Sequence, residues 1–274
     1  MDKFLSYRKF LKEKERLALK KDKFAVITGG CGRIGSIFTG QLLYRGYKVI
    51  CLSKTNQKYL DYKKSLPNNL KKKLFWHSLD LVNPKTVINA VNFIFNKFSK
   101  VDVLINNAAD SNRGEFFKYN INSLEKEFWG TFGSSFLLTE KILPSMRKNK
   151  KGKIINTGSL WGSHGAKFKI YLDLDIGPSP IIASSKAAIM QYTKHLASRE
   201  SKYSITTNAL LPGFFPRKGR IERKDYINSI ISNIPLNRIG KPKDLISAVG
   251  FLISEGSNYM TGQFIIVDGG YTIW

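Results

Sequence analysis

Residues Phe24 to Tyr44 read FAVITGGCGRIGSIFTGQLLY. Phe24-Ala25-Val26-Ile27 is an apolar run of strand length, and Ser36 to Tyr44 carries Ile37, Leu42 and Leu43 in a helical pattern. Between them Thr28 to Gly35, TGGCGRIG, is a glycine-dense turn. A strand that ends in such a turn and opens a helix brings bare backbone N–H groups up to a phosphate, and the helix N-terminus favours the negative charge. Glycine permits both the tight turn and the close approach. The strand and helix on the correct sides make nucleotide binding the better reading than a tight turn alone.

Alternation continues outward from this unit. Tyr47 to Leu52, Leu74 to Leu79, Val101 to Asn106, Lys153 to Thr157, Ile205 to Leu210 and Gln263 to Val267 read as further strands. Helical stretches lie near residues 83–98, 123–148, 182–200 and 242–254. Strands alternating with helices imply right-handed βαβ units, hence a parallel sheet covered on both faces. The expected architecture is one doubly wound α/β Rossmann domain of about seven strands over residues 24–274, with ligands at the C-terminal strand ends. Residues 1–23, with nine basic and four acidic side chains, form a basic N-terminal extension. Phe4, Tyr7, Leu11 and Ala18 could share one face of a helix there.

The 274 residues are ordinary for one α/β domain, and 42% hydrophobic content suffices for a large core. No apolar run is long enough to span a bilayer, and the first residues lack a signal-peptide pattern. Cys31 and Cys51 are too few for a disulfide framework; they are expected to end adjacent strands as reduced, half-buried thiols of a cytoplasmic protein. No metal site is expected. The formal net charge of +25 suggests non-specific adhesion to polyanions at low salt. The lysines are scattered and no nucleic-acid-binding signature accompanies them, so no specific nucleic-acid partner is expected. One basic cluster stands out, with five of eight residues basic from Arg217 to Lys224.

Several motifs fall at the predicted strand ends: Asp80-Leu81, Asn106-Asn107-Ala108-Ala109, Gly158-Ser159, Pro212-Gly213 and Asp268-Gly269-Gly270. Lys186 follows Ser159 by 27 residues. Singly, each could be turn chemistry. Together, in this order and spacing, residues 24–270 resemble the short-chain dehydrogenase/reductase family. The resemblance implies NAD(H) or NADP(H) binding, with Gly29, Gly32, Ile34 and Gly35 matching the pyrophosphate turn. The spacing here is TGxxGxxG, and Arg33 stands where commoner single-domain members have glycine. Arg33 lies along the diphosphate, reaches a 2′-phosphate, or is simply solvated. NAD-selective members place an aspartate after the second strand; this chain has Ser53-Lys54, which favours NADP. Asp80, Leu81, Asn107, Ala108 and Ala109 match residues around adenine and its ribose, and Pro212 and Gly213 complete the cofactor set.

The family's usual active site is Asn, Ser, Tyr and Lys. Tyrosine gives a proton to the carbonyl oxygen, lysine lowers the tyrosine pKa and binds the nicotinamide ribose, serine fixes the substrate oxygen, and asparagine positions a water relay. Ser159 and Lys186 match. The tyrosine position, four residues before the lysine and one helical turn away, holds Ile182, and the asparagine position falls near Thr131. Isoleucine donates no proton, so the usual mechanism does not run unchanged. Tyr171, His164, Asp173 and Asp175 are the substitutes that the intervening loop offers. The loop Phe168 to Pro180 resembles an insert in a bacterial branch that often serves surface-sugar pathways. Pro212-Gly213-Phe214-Phe215-Pro216 fits members acting on sugar acids and polyols. With Arg217, Lys218, Arg220, Arg223 and Lys224 these features suggest an anionic sugar substrate. Two readings follow: an NAD(P)-dependent oxidoreductase with a non-standard proton donor, or a cofactor-binding pseudoenzyme acting as a structural or regulatory subunit. By analogy the family assembles as dimers or tetramers through helices such as 123–148 and 182–200.

Overall fold

The computed structural model describes residues 22–109, 120–171, 177–216 and 223–273. Seven parallel strands form one sheet in the order β3-β2-β1-β4-β5-β6-β7. They are β1 (Phe24–Thr28), β2 (Lys48–Ser53), β3 (Leu74–Ser78), β4 (Val103–Asn106), β5 (Gly152–Thr157), β6 (Ile205–Pro212) and β7 (Phe264–Val267). Helices α1 (Gly35–Tyr44), α2 (Gln57–Ser65), α3 (Asn68–Lys71), α4 (Pro84–Lys97), α5 (Ile121–Phe128), α6 (Ser134–Lys148), α7 (Pro180–Glu200), α8 (Lys224–Ile231) and α9 (Ile246–Ile253) connect them. The doubly wound parallel fold is as the alternation implied. The short helices α2, α3 and α8 lie in stretches where the sequence signals none, because α2 and α3 bury no side chain and so carry no apolar stripe.

Period-two alternation sends neighbouring strand residues to opposite faces. Val26, Ile50, Leu104 and Ile154 join one core with Val87 and Ile94 of α4, Leu138 and Ile142 of α6, and Leu196 of α7. Ile27, Val49, Ile105 and Ile155 join the other with Phe38 and Leu42 of α1 and Val249 and Leu252 of α9. A third cluster under α8 gathers Leu160, Ile170, Tyr171, Met190, Tyr226 and Ile230.

Polar links set the layers in register. Asn106 Nδ2 donates to Thr139 Oγ1 of α6 and to Asn156 Oδ1, each at 2.9 Å, and Asn156 Nδ2 donates to Thr193 Oγ1 of α7 at 2.9 Å. At the far end of the helix pair, the buried Glu200 carboxylate accepts from Arg147 at 2.7 and 2.6 Å. Such bidentate pairs fix orientation as well as charge.

The chain reverses its winding direction between β1 and β4, so a crevice opens at their C-terminal ends, where ligands bind in this class of fold. The cysteines differ from expectation. Cys51 is fully buried inside β2 rather than half-buried at its end, and Cys31 lies in the turn three residues past β1. Parallel strands covered on both faces bury their interior residues completely. Residues 1–21 of the basic extension, Asp173, Asp175, Arg217, Lys218 and Arg220 lie outside the described residues.

Candidate functional site

The glycine turn sits at the mouth of the crevice. Gly29 adopts φ +64, and its N–H donates to the Leu52 carbonyl at 2.7 Å, which pins the turn to β2. A Cβ on Gly35 would fall 2.1 Å from the Gly29 carbonyl oxygen, so only glycine lets α1 start this close to the turn. A Cβ on Gly32 would meet only that same oxygen, at 3.1 Å. Helix α1 begins with no side-chain cap and no acidic residue in its first turn. Its Ser36 and Ile37 N–H groups already donate to the Gly32 and Ile34 carbonyls at 2.8 and 3.0 Å, so a phosphate oxygen would be met by the N–H groups of the turn ahead of them.

Thr28 is the residue that sequence reasoning quoted without giving it a role. Its hydroxyl accepts from the N–H groups of Asn107 at 3.0 Å and Ala108 at 2.9 Å. Asn107 Nδ2 in turn donates to the Thr28 carbonyl at 2.9 Å. These bonds stitch β1 to β4 across the switch point and fix Asn107, Ala108 and Ala109 beside the turn. Asn107 thus shapes the turn, and its amide is already committed there.

At the far end of the crevice, Lys54 Nζ pairs with Asp80 at 2.7 Å, which holds the Asp80 carboxyl below the usual range. Ser53 Oγ donates to the Thr55 carbonyl at 2.9 Å and accepts from the Trp76 indole at 2.9 Å, so it is occupied within the protein. Leu81 follows Asp80 at the end of β3. Arg33 Nη2 donates to the Phe215 carbonyl. Besides the roles that the sequence leaves open, this contact ties the glycine turn to the segment after β6. Pro212 ends β6, and Gly213 approaches β7 so closely that a Cβ would lie 2.6 Å from Asp268 Cα.

The residues that the resemblance matches to the active site, Ser159 and Lys186, lie after β5 and on α7. Ser179 caps α7, accepting from the Ile182 N–H at 3.5 Å and donating to the buried Glu127 carboxylate at 2.7 Å. Ser159 follows β5, and its hydroxyl accepts from the Trp161 N–H at 3.3 Å. Gly162 lets the turn 160–162 lie against α7, since a Cβ there would sit 2.8 Å from the Lys186 carbonyl carbon. That close approach packs the turn after Ser159 against the Lys186 backbone. Lys186 is 8% exposed; its Nζ donates to the Thr157 carbonyl at 2.7 Å, and burial lowers its pKa to about 8. A buried ammonium with few partners surrenders its proton more readily than one in water.

Ile182, one turn before Lys186, is half-buried at the start of α7. Thr131 lies in a π-helical turn, Trp129–Gly133, between α5 and α6, where widened turns often accompany functional sites. Its buried hydroxyl, like those of Thr157 and Ser185, has no hydrogen-bond partner among the described residues. Of the substitutes for tyrosine, Tyr171 is buried in the third cluster with its ring 6.0 Å from that of Tyr226. It belongs to the packed floor rather than to a swinging loop. His164 is exposed, its Nδ1 2.8 Å from Ser163 Oγ. Arg223 and Lys224 are exposed at the start of α8. No group of three or more His, Cys, Asp or Glu arranged to hold a metal occurs among the described residues. No helix there is long and apolar enough to cross a membrane.

Comparison with known proteins agrees with this fold. Residues 33–272 match the family model described as Enoyl-(Acyl carrier protein) reductase. The chain is 26% identical over 265 residues to the 7alpha-hydroxysteroid dehydrogenase of Bacteroides fragilis, covering 92% of this chain and 95% of that one. It is 30% identical over 253 residues to the 3-oxoacyl-(acyl-carrier-protein) reductase FabG of Rickettsia felis, covering 90% and 96%. A crystal structure of a short chain dehydrogenase from Leptospira borgpetersenii with bound NAD+ superposes with a TM-score of 0.79 at 30% identity, over 92% of this chain and 93% of that one. With a seven-stranded sheet of this order and a glycine turn at its switch point, the chain belongs to the short-chain dehydrogenase/reductase family.

Proposed function

We propose that this chain is an NAD(P)-dependent oxidoreductase acting on a carbonyl/hydroxyl pair, in which Lys186 is itself the proton donor. The observation that carries the reading is the buried Lys186 ammonium, held by the Thr157 carbonyl with its pKa lowered to about 8. General acids work best when their pKa lies near the working pH, and burial is a common way to bring lysine there. The usual lysine assists a tyrosine; with Ile182 in that place, a lysine poised near neutrality can serve alone.

The residues present fit a dinucleotide. Gly29, Gly32 and Gly35, with the uncapped start of α1, would hold the pyrophosphate; Asp80, Asn107, Ala108 and Ala109 would flank adenine and its ribose. The absence of a carboxylate at positions 53 and 54 favours NADP over NAD, and Lys54 and Arg33 would have to leave Asp80 and the Phe215 carbonyl to meet a 2′-phosphate. The bound dinucleotide supplies the hydride. Ser159 orients the substrate oxygen by donating its hydroxyl proton in a hydrogen bond, and Lys186 releases a proton to that oxygen as negative charge develops there. The Arg223 and Lys224 cations beside the segment after β6 favour an anionic sugar derivative as substrate.

The sign of the pH dependence follows. Reduction requires protonated Lys186, so its kcat is constant at low pH and falls as pH rises through about 8. Alcohol oxidation requires the neutral amine, and its rate rises through the same window. The test is the pH profile of kcat in both directions, with dinucleotide affinity measured separately for the parent and for Lys186→Met. A flat reductive profile from about pH 6 to 9, or Lys186→Met turning over normally with affinity intact, sinks the assignment. A second reading is favoured by the replacement of both tyrosine and asparagine, by Ile182 and Thr131: a subunit that binds dinucleotide without turning over. It wins if NADPH binds tightly and no carbonyl compound oxidises it.

A further inference from the structure

The sheet edge opposite the glycine turn carries a cleft of its own, of about 990 Å³. Its wall is made by N-terminal strand ends. Lys23 immediately precedes β1, Asp102 precedes β4, Lys153 is the second residue of β5, and Ile205 opens β6. The segment after α9 adds Glu255 and Tyr259. Clefts of about 300–1,000 Å³ are of the size that takes a small organic molecule.

Lys153 gives the cleft its chemistry. It is 9% exposed, and its Nζ donates to Ser257 Oγ at 3.0 Å. That hydroxyl spends its own proton on the Leu252 and Ser254 carbonyls, at 2.9 and 3.0 Å. An ammonium carries three N–H donors, and a buried charge is costly unless it is paired. Lys153 has no ion-pair partner among the described residues. Of the two carboxylates in the cleft, Asp102 is already committed, through Oδ1 to Lys100 Nζ at 2.7 Å and through Oδ2 to the Phe24 N–H at 2.8 Å. Glu255 is exposed. Lys23, Arg45, Lys150 and Lys151 line the same cleft, so five cations face two carboxylates. Burial lowers the pKa of Lys153 to about 8 and lowers that of Lys23, and repulsion from Lys151 acts on both in the same direction. A bound anion relieves that repulsion and supplies the buried ammonium with its partner.

We propose that this cleft binds a small phosphate-bearing molecule, with Lys153 at its floor and Lys23 and Lys151 at its rim holding the phosphate. A phosphate carries nearly two negative charges and three strong acceptor oxygens, which suits several lysine point charges around one place better than a carboxylate does. Tyr47, Ile205, Ile253 and Tyr259 also line the cleft and offer an organic group an apolar wall. The cleft lies at the opposite strand ends from Thr28 to Gly35, so it does not depend on the dinucleotide reading.

Calorimetric titration of the full-length protein with phenyl phosphate and with inorganic phosphate, each with and without NADPH, tests the site. Salt is held at about 0.15 M, where distant exposed charges are screened. Phenyl phosphate should bind whether or not NADPH is present. Lys153→Met, and separately Lys23→Ala with Lys151→Ala, should each weaken it roughly tenfold or more, the effect of losing a charge-assisted hydrogen bond. Lys23 is half-buried and Lys151 exposed, so the rim variant folds whether or not Lys153→Met does. Lys58→Ala with Lys64→Ala removes two exposed charges from α2 and should leave affinity unchanged. Phenyl phosphate binding more tightly than inorganic phosphate assigns an ester as ligand, and equal affinity assigns the free ion; either supports the site. The proposal is overturned if neither probe binds at millimolar concentration, if NADPH displaces the probe, if the rim variant binds as the parent does, or if the α2 variant weakens binding equally.

Discussion

Gly35→Ala sets helix propensity against the geometry of the phosphate turn. Gly35 is the first residue of α1, and alanine is favoured over glycine within a helix by about 1 kcal/mol. On propensity alone the substitution stabilises. The added Cβ, however, would sit 2.1 Å from the Gly29 carbonyl oxygen, 2.9 Å from the Gly29 carbonyl carbon and 2.9 Å from Asn107 Nδ2. Two of these are backbone atoms, which cannot rotate away, so the turn must open. Overpacking of this kind costs about 1–3 kcal/mol, which matches or outweighs the propensity gain. The net loss of about 0–2 kcal/mol corresponds to a Tm lower by up to roughly 8 °C for a chain of this size. Opening the turn also misdirects an N–H from a bound phosphate, worth about 1.5–3 kcal/mol, or roughly ten- to hundredfold in dinucleotide affinity. Thermal unfolding and NADPH fluorescence titration read the two effects separately. Gly165→Ala is the control, since a Cβ there meets nothing within 4 Å. A Gly35→Ala protein with unchanged or higher Tm and unaltered affinity refutes the account of the turn.

The remaining predictions concern chemistry. Ile182→Tyr restores a phenol one helical turn from Lys186, and reductase activity with NADPH should rise within the range of about 10²–10⁴-fold that general acid assistance supplies. If dinucleotide binding is intact and activity does not move, the frame around Ser159 and Lys186 is not competent. Neutralising Arg217, Arg220 and Arg223 together should weaken binding of anionic sugars and reduce its salt dependence, while leaving affinity for neutral alcohols in place. Equal affinity for anionic and neutral sugars before and after the change removes the case for an anionic substrate.

The sequence by itself determined the architecture, because a doubly wound sheet writes itself as alternating periodicities, and the central strands β1, β2 and β4 are buried enough to read as apolar runs. It also marked the glycine turn, since only glycine satisfies the backbone at Gly29 and Gly35, and it placed Ile182 one helical turn from Lys186. What it left open were contacts between residues distant along the chain. That Thr28 clamps Asn107 and Ala108, that Arg33 ties the turn to Phe215, and that Tyr171 is a packed floor residue depend on where β4, β6 and α8 arrive in space. The lowered pKa of Lys186 likewise depends on burial, which no local pattern encodes. Cys31 and Cys51 show the division most plainly. Read along the chain they were two spare thiols; parallel pairing of β1 with β2 buried Cys51 completely beneath Gly30, while Cys31 stayed in the partly exposed turn.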